Sequence, residues 1–129
     1  DMKKLLLLFG LVLAFNFSSF AQNELTFENP TLKVENKVYH LEGFDSFDRH
    51  ILKYEEFREE GVLRQKGTYV DGKPDGMWYM YDAEGNVCSK MLFSIGSKVE
   101  LTLFTTNGMV VVRYVDNRPY RHTQIAYLD

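Results

Sequence analysis

A chain of 129 residues carrying 15 basic and 18 acidic side chains has a net charge of −3 and no cationic surplus to track a phosphate backbone, so nucleic acid is excluded as a partner. With 45% hydrophobic and 15% aromatic residues it is too apolar for a disordered chain, and its length suits one domain with a modest core.

Read from Met2, residues 1–21 have the three-part form of a secretory signal peptide. Met2-Lys3-Lys4 is basic, Leu5 to Phe17 is almost wholly apolar, and Ser18-Ser19-Phe20-Ala21 offers a small-residue cleavage site before Gln22. The apolar stretch falls short of the ~20 residues a membrane span needs, so no integral membrane segment is expected after cleavage. No cysteine stands at the cleavage point, so a lipid anchor is not indicated. Removing Asp1, Lys3 and Lys4 takes away two positive charges and one negative, which moves the net from −3 to −4. Cys88 is the single cysteine. It has no partner for an internal disulfide and reads as a small buried apolar residue. The protein is expected to be exported, either to the periplasm of a Gram-negative bacterium or outside the cell.

Residues 22–48 form an N-terminal segment with one short hairpin, Leu32 to Leu41, turning near Glu35-Asn36-Lys37; Phe44 to Asp48 reads as loop. Residues 49–129 are dominated by a repeat. Phe57-Arg-Glu-Glu-Gly61, Tyr81-Asp-Ala-Glu-Gly85 and Phe104-Thr-Thr-Asn-Gly108 each place glycine four residues after an aromatic, at intervals of 24 and then 23 residues. After each glycine comes a strand-like run: Val62 to Val70, Val87 to Phe93, and Met109 to Val115. Near its end stands Tyr69, Phe93 or Tyr114, and three residues on come Gly72, Gly96 or Asn117, residue types that tolerate positive φ. The third copy is two residues shorter. Apolar residues recur on one parity, as in Leu63/Tyr69, Val87/Met91/Phe93 and Val110/Val112/Tyr114, which places them on one face of a strand. Ile51 to Phe57 fits either a strand or a helical turn, and its alignment with Met77 to Tyr81 favours strand. The fold class that follows is all-β, a single-domain antiparallel meander of successive β-hairpins, with turns expected at Gly72-Gly76, Gly85-Asn86 and Gly108 and with Gly85 and Gly108 left-handed.

Met77-Trp78-Tyr79-Met80-Tyr81 is apolar or amphipathic on both parities. Trp78 and Met80 face one way, Met77, Tyr79 and Tyr81 the other. A two-sided apolar strand needs cover on both faces or leaves a patch. The expected cover is the N-terminal segment, with Phe27, Leu32, Val34, Val38 and Tyr39 lying over one face. Trp78 is expected to be a packing residue. The functional alternative leaves some of Trp78, Tyr79 and Tyr81 on a groove where a partner chain, a lipid or a sugar stacks.

The stretch from Gly67 to Gly85 resembles MORN-repeat proteins, and most of all their bacterial antitoxin-like branch, whose unit runs Gly-x-Tyr-x-x-Gly-Lys-x-x-Gly-x-Trp-x-x-Tyr-x-x-x-Gly. Gly67, Tyr69, Gly72, Lys73, Gly76, Trp78, Tyr81 and Gly85 supply that pattern here. The neighbouring units match in part: Glu100 stands at the second turn glycine, and Leu101 or Thr102 at the tryptophan. The resemblance covers roughly Tyr54 to Pro119. It implies an elongated hairpin meander that holds a protein partner or a membrane or cell-envelope surface without catalysis, and more weakly an association with phospholipid. It implies no cofactor.

Catalytic and metal signatures are weak. His40, His50 and His122 lack the ligand spacing of a zinc site and read as surface or half-buried residues. Asp45, Asp48, Glu55, Glu56, Glu59 and Glu60 form an acidic cluster in sequence. Two such carboxylates serve a glycosidase when held a few ångström apart at a cleft, but on alternating strand and turn positions they read as a solvated rim. Arg113, Arg118 and Arg121, with Tyr114, Tyr120 and His122, make a basic-aromatic cluster suited to an acidic partner or lipid head groups, or to guarding an edge strand. The candidate binding residues are therefore Trp78, Tyr79, Tyr81, Arg113, Arg118 and Arg121, with no catalytic or metal-ligating residue among them.

Overall fold

The computed structural model describes residues 25–127; the signal-peptide reading of 1–21 lies outside them. Nine strands follow in chain order: β1 (Thr31–Val34), β2 (Lys37–Phe44), β3 (His50–Phe57), β4 (Leu63–Val70), β5 (Lys73–Tyr81), β6 (Val87–Ser94), β7 (Ser97–Thr105), β8 (Gly108–Val115) and β9 (Arg118–Ala126). They lie in one sheet in sequence order, each antiparallel to the next. The all-β meander expected from the repeat is the fold, Ile51 to Phe57 is strand, and no helix occurs among the described residues. The division at 48/49 falls in the turn between β2 and β3, and those strands pair from Lys37↔Glu56 to Phe44↔His50, so both parts share one sheet.

Two kinds of turn build the meander. At one end of the sheet, Asp71-Gly72, Ile95-Gly96 and Asp116-Asn117 form two-residue connections with φ of 49° and 79°, 39° and 85°, and 53° and 62°. Positive φ at both centres is the type I′ geometry that matches strand twist, and it explains the Gly, Gly and Asn found there. At the other end, residues 58–62 and 82–86 form longer loops. In each, the first N–H donates to the fifth carbonyl (Arg58 to Val62, 2.8 Å; Asp82 to Asn86, 2.8 Å), and the fourth residue, Gly61 or Gly85, has φ of 86° or 89°. Residues 45–49 repeat the same closure with Asp48 at φ 61°.

Three expectations are corrected. The Gly72-Gly76 turn is only Asp71-Gly72; Gly76 lies inside β5, where a bulge sets Gly67 alone against Gly76, Met77 and Trp78. Gly108 is not left-handed: Thr106-Asn107 make the turn, Gly108 opens β8 opposite Ala126, and a Cβ there would sit 2.0 Å from the Ile125 carbonyl oxygen. The two-residue turn in place of a longer loop also accounts for the shorter third copy. Finally, Leu25, ahead of β1, reaches the buried cluster, but the N-terminal hairpin does not lie over a face. It adds β1 and β2 to the sheet's edge, with Val38 on the opposite side from Leu32 and Tyr39, and with Phe27 half exposed against Phe44, ring centroids 5.5 Å apart.

The two glycines separate two causes of intolerance. Gly108→Ala is expected to cost ~1–3 kcal/mol by overpacking, and Gly108→Asn to be no milder. Gly85, with open space around its Cα, is expected to lose about 1–2 kcal/mol on Gly85→Ala through its backbone conformation alone. Gly85→Asn should recover part of that loss, and chemical-denaturation midpoints of the four variants decide it.

The core lies on one face, towards the N-terminal half. Leu25, Leu32, Tyr39, Leu41, Leu52, Tyr54 and Trp78 are buried together, with Val34, Tyr69, Met91 and Phe93 packed against them. An aromatic ladder crosses the strands, Tyr39 to Tyr54 (5.1 Å between centroids), Tyr54 to Trp78 (5.6 Å), Tyr69 to Trp78 (4.9 Å) and Trp78 to Phe93 (6.2 Å). A single layer has no second sheet to fill its face, so long flat side chains laid along it do the covering. The row continues through Trp78↔Met91↔Leu101↔Val112 as burial fades, until β9 is exposed along its whole length.

Candidate functional site

Trp78 belongs to the core and not to a surface. It is 5% exposed, and its Nε1–H donates to the Thr68 carbonyl at 3.2 Å. Its ring lies against Gly67, where a Cβ would fall 2.0 Å from Trp78 Cδ2, so the pair Gly67 and Trp78 is a packing device across β4 and β5. Tyr79, one residue on, points to the other side. The structure therefore separates the two residues that the aromatic run joins.

On that other side two cross-strand rows define an open concavity of ≈ 640 Å³. The first row is Thr31↔His40↔Lys53↔Thr68; the second is Val38↔Glu55↔Lys66↔Tyr79. Val38, Met77 and Tyr79 give it apolar surface, and Lys66 Nζ stands 5.6 Å from the Tyr79 ring centroid. Thr31 Oγ1 and His40 Nδ1 are 2.9 Å apart, and Lys53 Nζ lies 3.5 Å from Glu42 Oε1. Tyr81 does not line this surface; it pairs with Val87 beyond a bulge, and its carbonyl accepts a hydrogen bond from Arg58 Nη2 at 3.0 Å. Sequence reasoning missed His40, Lys53, Glu55, Lys66 and Thr68 as neighbours of Tyr79. Each sits on the right parity of its strand, but only the register of three successive ladders brings them together.

The arginines make a second, separate surface at β8 and β9. Arg113 Nε pairs with Glu100 Oε2 at 3.1 Å, and Arg121 stands opposite Arg113 in the next strand. Arg118 is opposite Val115, two residues from Arg113 and so on the same face. The acidic cluster is dispersed. Asp45 and Asp48 lie in the turn before β3 and Glu59 and Glu60 in the turn after it, at opposite ends of the sheet, and Asp45 is held by Arg49 at 2.7 Å. The Asp45 carboxyl is lowered below the usual range, first by the Arg49 backbone N–H and also by the Arg49 guanidinium and the Phe47 N–H. No group of three or more His, Cys, Asp or Glu is placed to hold a metal ion among the described residues.

Burial raises the phenols of Tyr39, Tyr54 and Tyr69, and for Tyr54 the hydrogen bond donated to Glu56 adds to it. A group whose folded pKa is raised contributes stability in full below its unfolded pKa, about 10 for tyrosine. That stability is lost as pH rises further. The melting temperature is therefore expected to hold up to about pH 10 and fall above it, with tyrosinate absorbance appearing together with loss of the Trp78 near-ultraviolet signal.

No protein-family model matches the chain, and no curated protein matches it.

Proposed function

We propose that this chain is an exported, non-enzymatic interaction module built from MORN-like hairpin repeats, which holds a protein partner along its C-terminal strands. The observation that supports this best is the bare last hairpin. Val115, Tyr120 and Ile125 are 55%, 58% and 44% exposed on a sheet that is one layer thick, beside the three arginines. Exposed apolar side chains spread along a charged strand that nothing covers among the described residues favour an interaction surface. The basic, apolar and small-residue pattern of 1–21 supports export.

A photo-crosslinking residue at Tyr120 or Ile125 is expected to give a discrete adduct in intact cells, while one at Phe47, exposed at the far end, gives none. Replacing Val115, Tyr120 and Ile125 by serine together should abolish the adduct and leave the melting temperature unchanged. Adducts of equal yield at Phe47, or none at any position, would end this reading.

The concavity supports a second reading, a carbohydrate-binding surface with Tyr79 as stacking platform and Thr31, His40, Glu55 and Lys66 as hydrogen-bonding rim. Under it, Tyr79→Ala removes glycan binding without changing the fold.

A further inference from the structure

The last strand has an edge as well as faces. β9 closes the strand order, all of its residues are exposed, and its outer backbone edge pairs with no strand among the described residues. A long open edge is a template for another strand. The opposite edge, β1, is only Thr31–Val34.

Charge decides what the β9 edge accepts. In the row Glu100↔Arg113↔Arg121, the carboxylate of Glu100 is taken by Arg113, and like charges stand directly opposite in the next step. Arg118 and Arg121 share a face and have no carboxylate partner among the described residues. A strand added beyond β9 would place side chains opposite them. Neither edge strand of this chain carries an acidic residue: β1 reads Thr-Leu-Lys-Val, and β9 reads Arg-Pro-Tyr-Arg-His-Thr-Gln-Ile-Ala. A second copy therefore brings arginine, histidine or lysine and no carboxylate to this edge. A lipid surface supplies anions but no amide groups to pair with the backbone.

We propose that the β9 edge takes an extended acidic segment of a partner protein as an added strand, its carboxylates meeting Arg121 and Arg118. This rests on the interaction role argued above and gives the partner its chemistry. Ile125 lies opposite Met109 on the arginine face, four residues from Arg121, so the segment carries a carboxylate and an apolar residue four positions apart. Pro119, which has no N–H to offer, limits the pairable stretch to Tyr120 onward.

The test uses a capped nine-residue threonine peptide with valine at its second position and glutamate at its sixth and eighth, followed by fluorescence anisotropy at low salt. Binding is expected, and it should weaken about tenfold or more when lysine replaces glutamate, when alternate amides are N-methylated, or in Arg121→Glu. Equal binding of the N-methylated peptide would overturn the proposal, because charge alone would suffice. So would no binding of the parent peptide, attachment to phosphatidylserine vesicles with none to the peptide, or a dimer in sedimentation that Arg121→Glu abolishes. The N-methylation arm needs no variant, so it holds even if Arg121→Glu disturbs folding. If Tyr120 crosslinks persist in the cell while the peptide fails, the docking role stands and only the edge-pairing proposal falls.

Discussion

Trp78→Ala is expected to remove ~3–5 kcal/mol of stability, the range for truncating a buried aromatic. A small domain has ~5–15 kcal/mol in total, so the variant should unfold at a far lower denaturant concentration or fail to fold at physiological temperature. The size of the effect follows from position. Trp78 touches Tyr54, Tyr69 and Phe93, rings from β3, β4 and β6, so its loss opens the ladder in the middle. Its N–H bond to the Thr68 carbonyl goes with it. With a single cysteine in the chain, no internal disulfide compensates. Tyr79→Ala, on the concave side where Tyr79 is half buried, should cost well under the Trp78 value. Equal losses for the two would mean that the concave face is as covered as the core, and the sugar-binding reading would lose its platform. A fully stable Trp78→Ala protein would contradict the core described above.

Gly67→Ala should be nearly as damaging, although it adds only one methyl group. That group would lie 2.0, 2.2 and 2.6 Å from three atoms of the indole, so the ring must leave its place. Overpacking costs ~1–3 kcal/mol, and displacement of the tryptophan from the ladder adds to it. The sharper measurement is a double-mutant cycle. In a Trp78→Ala background the methyl meets empty space, and Gly67→Ala should become close to neutral. Contacting residues couple by ~0.5–3 kcal/mol, and this pair is expected near the upper end. Additive losses would show that Gly67 is required for its backbone and not for the ring.

Much of the architecture was legible in the chain because its signals are local. The glycine spacing and the Gly, Gly and Asn after Tyr69, Phe93 and Tyr114 located the type I′ turns, since φ above zero is a property of single residues. Parity along Val87/Met91/Phe93 assigned a face for the same reason. The errors arose where a residue type has more than one use. Gly76 and Gly108 looked like turn glycines, yet one sits at a bulge and the other is demanded by the closeness of Ile125.

By itself, then, the sequence determined an all-β chain of paired strands, the phase of its turns and the packing role of Trp78, all set by backbone preference and period-two patterning. Only the tertiary structure decided that β1 and β2 extend the sheet instead of covering it. It alone placed Tyr79 beside His40, Lys53, Glu55 and Lys66, and left Arg118 and Arg121 without a carboxylate partner among the described residues, on an edge that pairs with no strand there. Those facts depend on register between strands, which is summed over ladders and bulges. A slip of one residue turns every side chain of a strand to the other face, so no single segment encodes them.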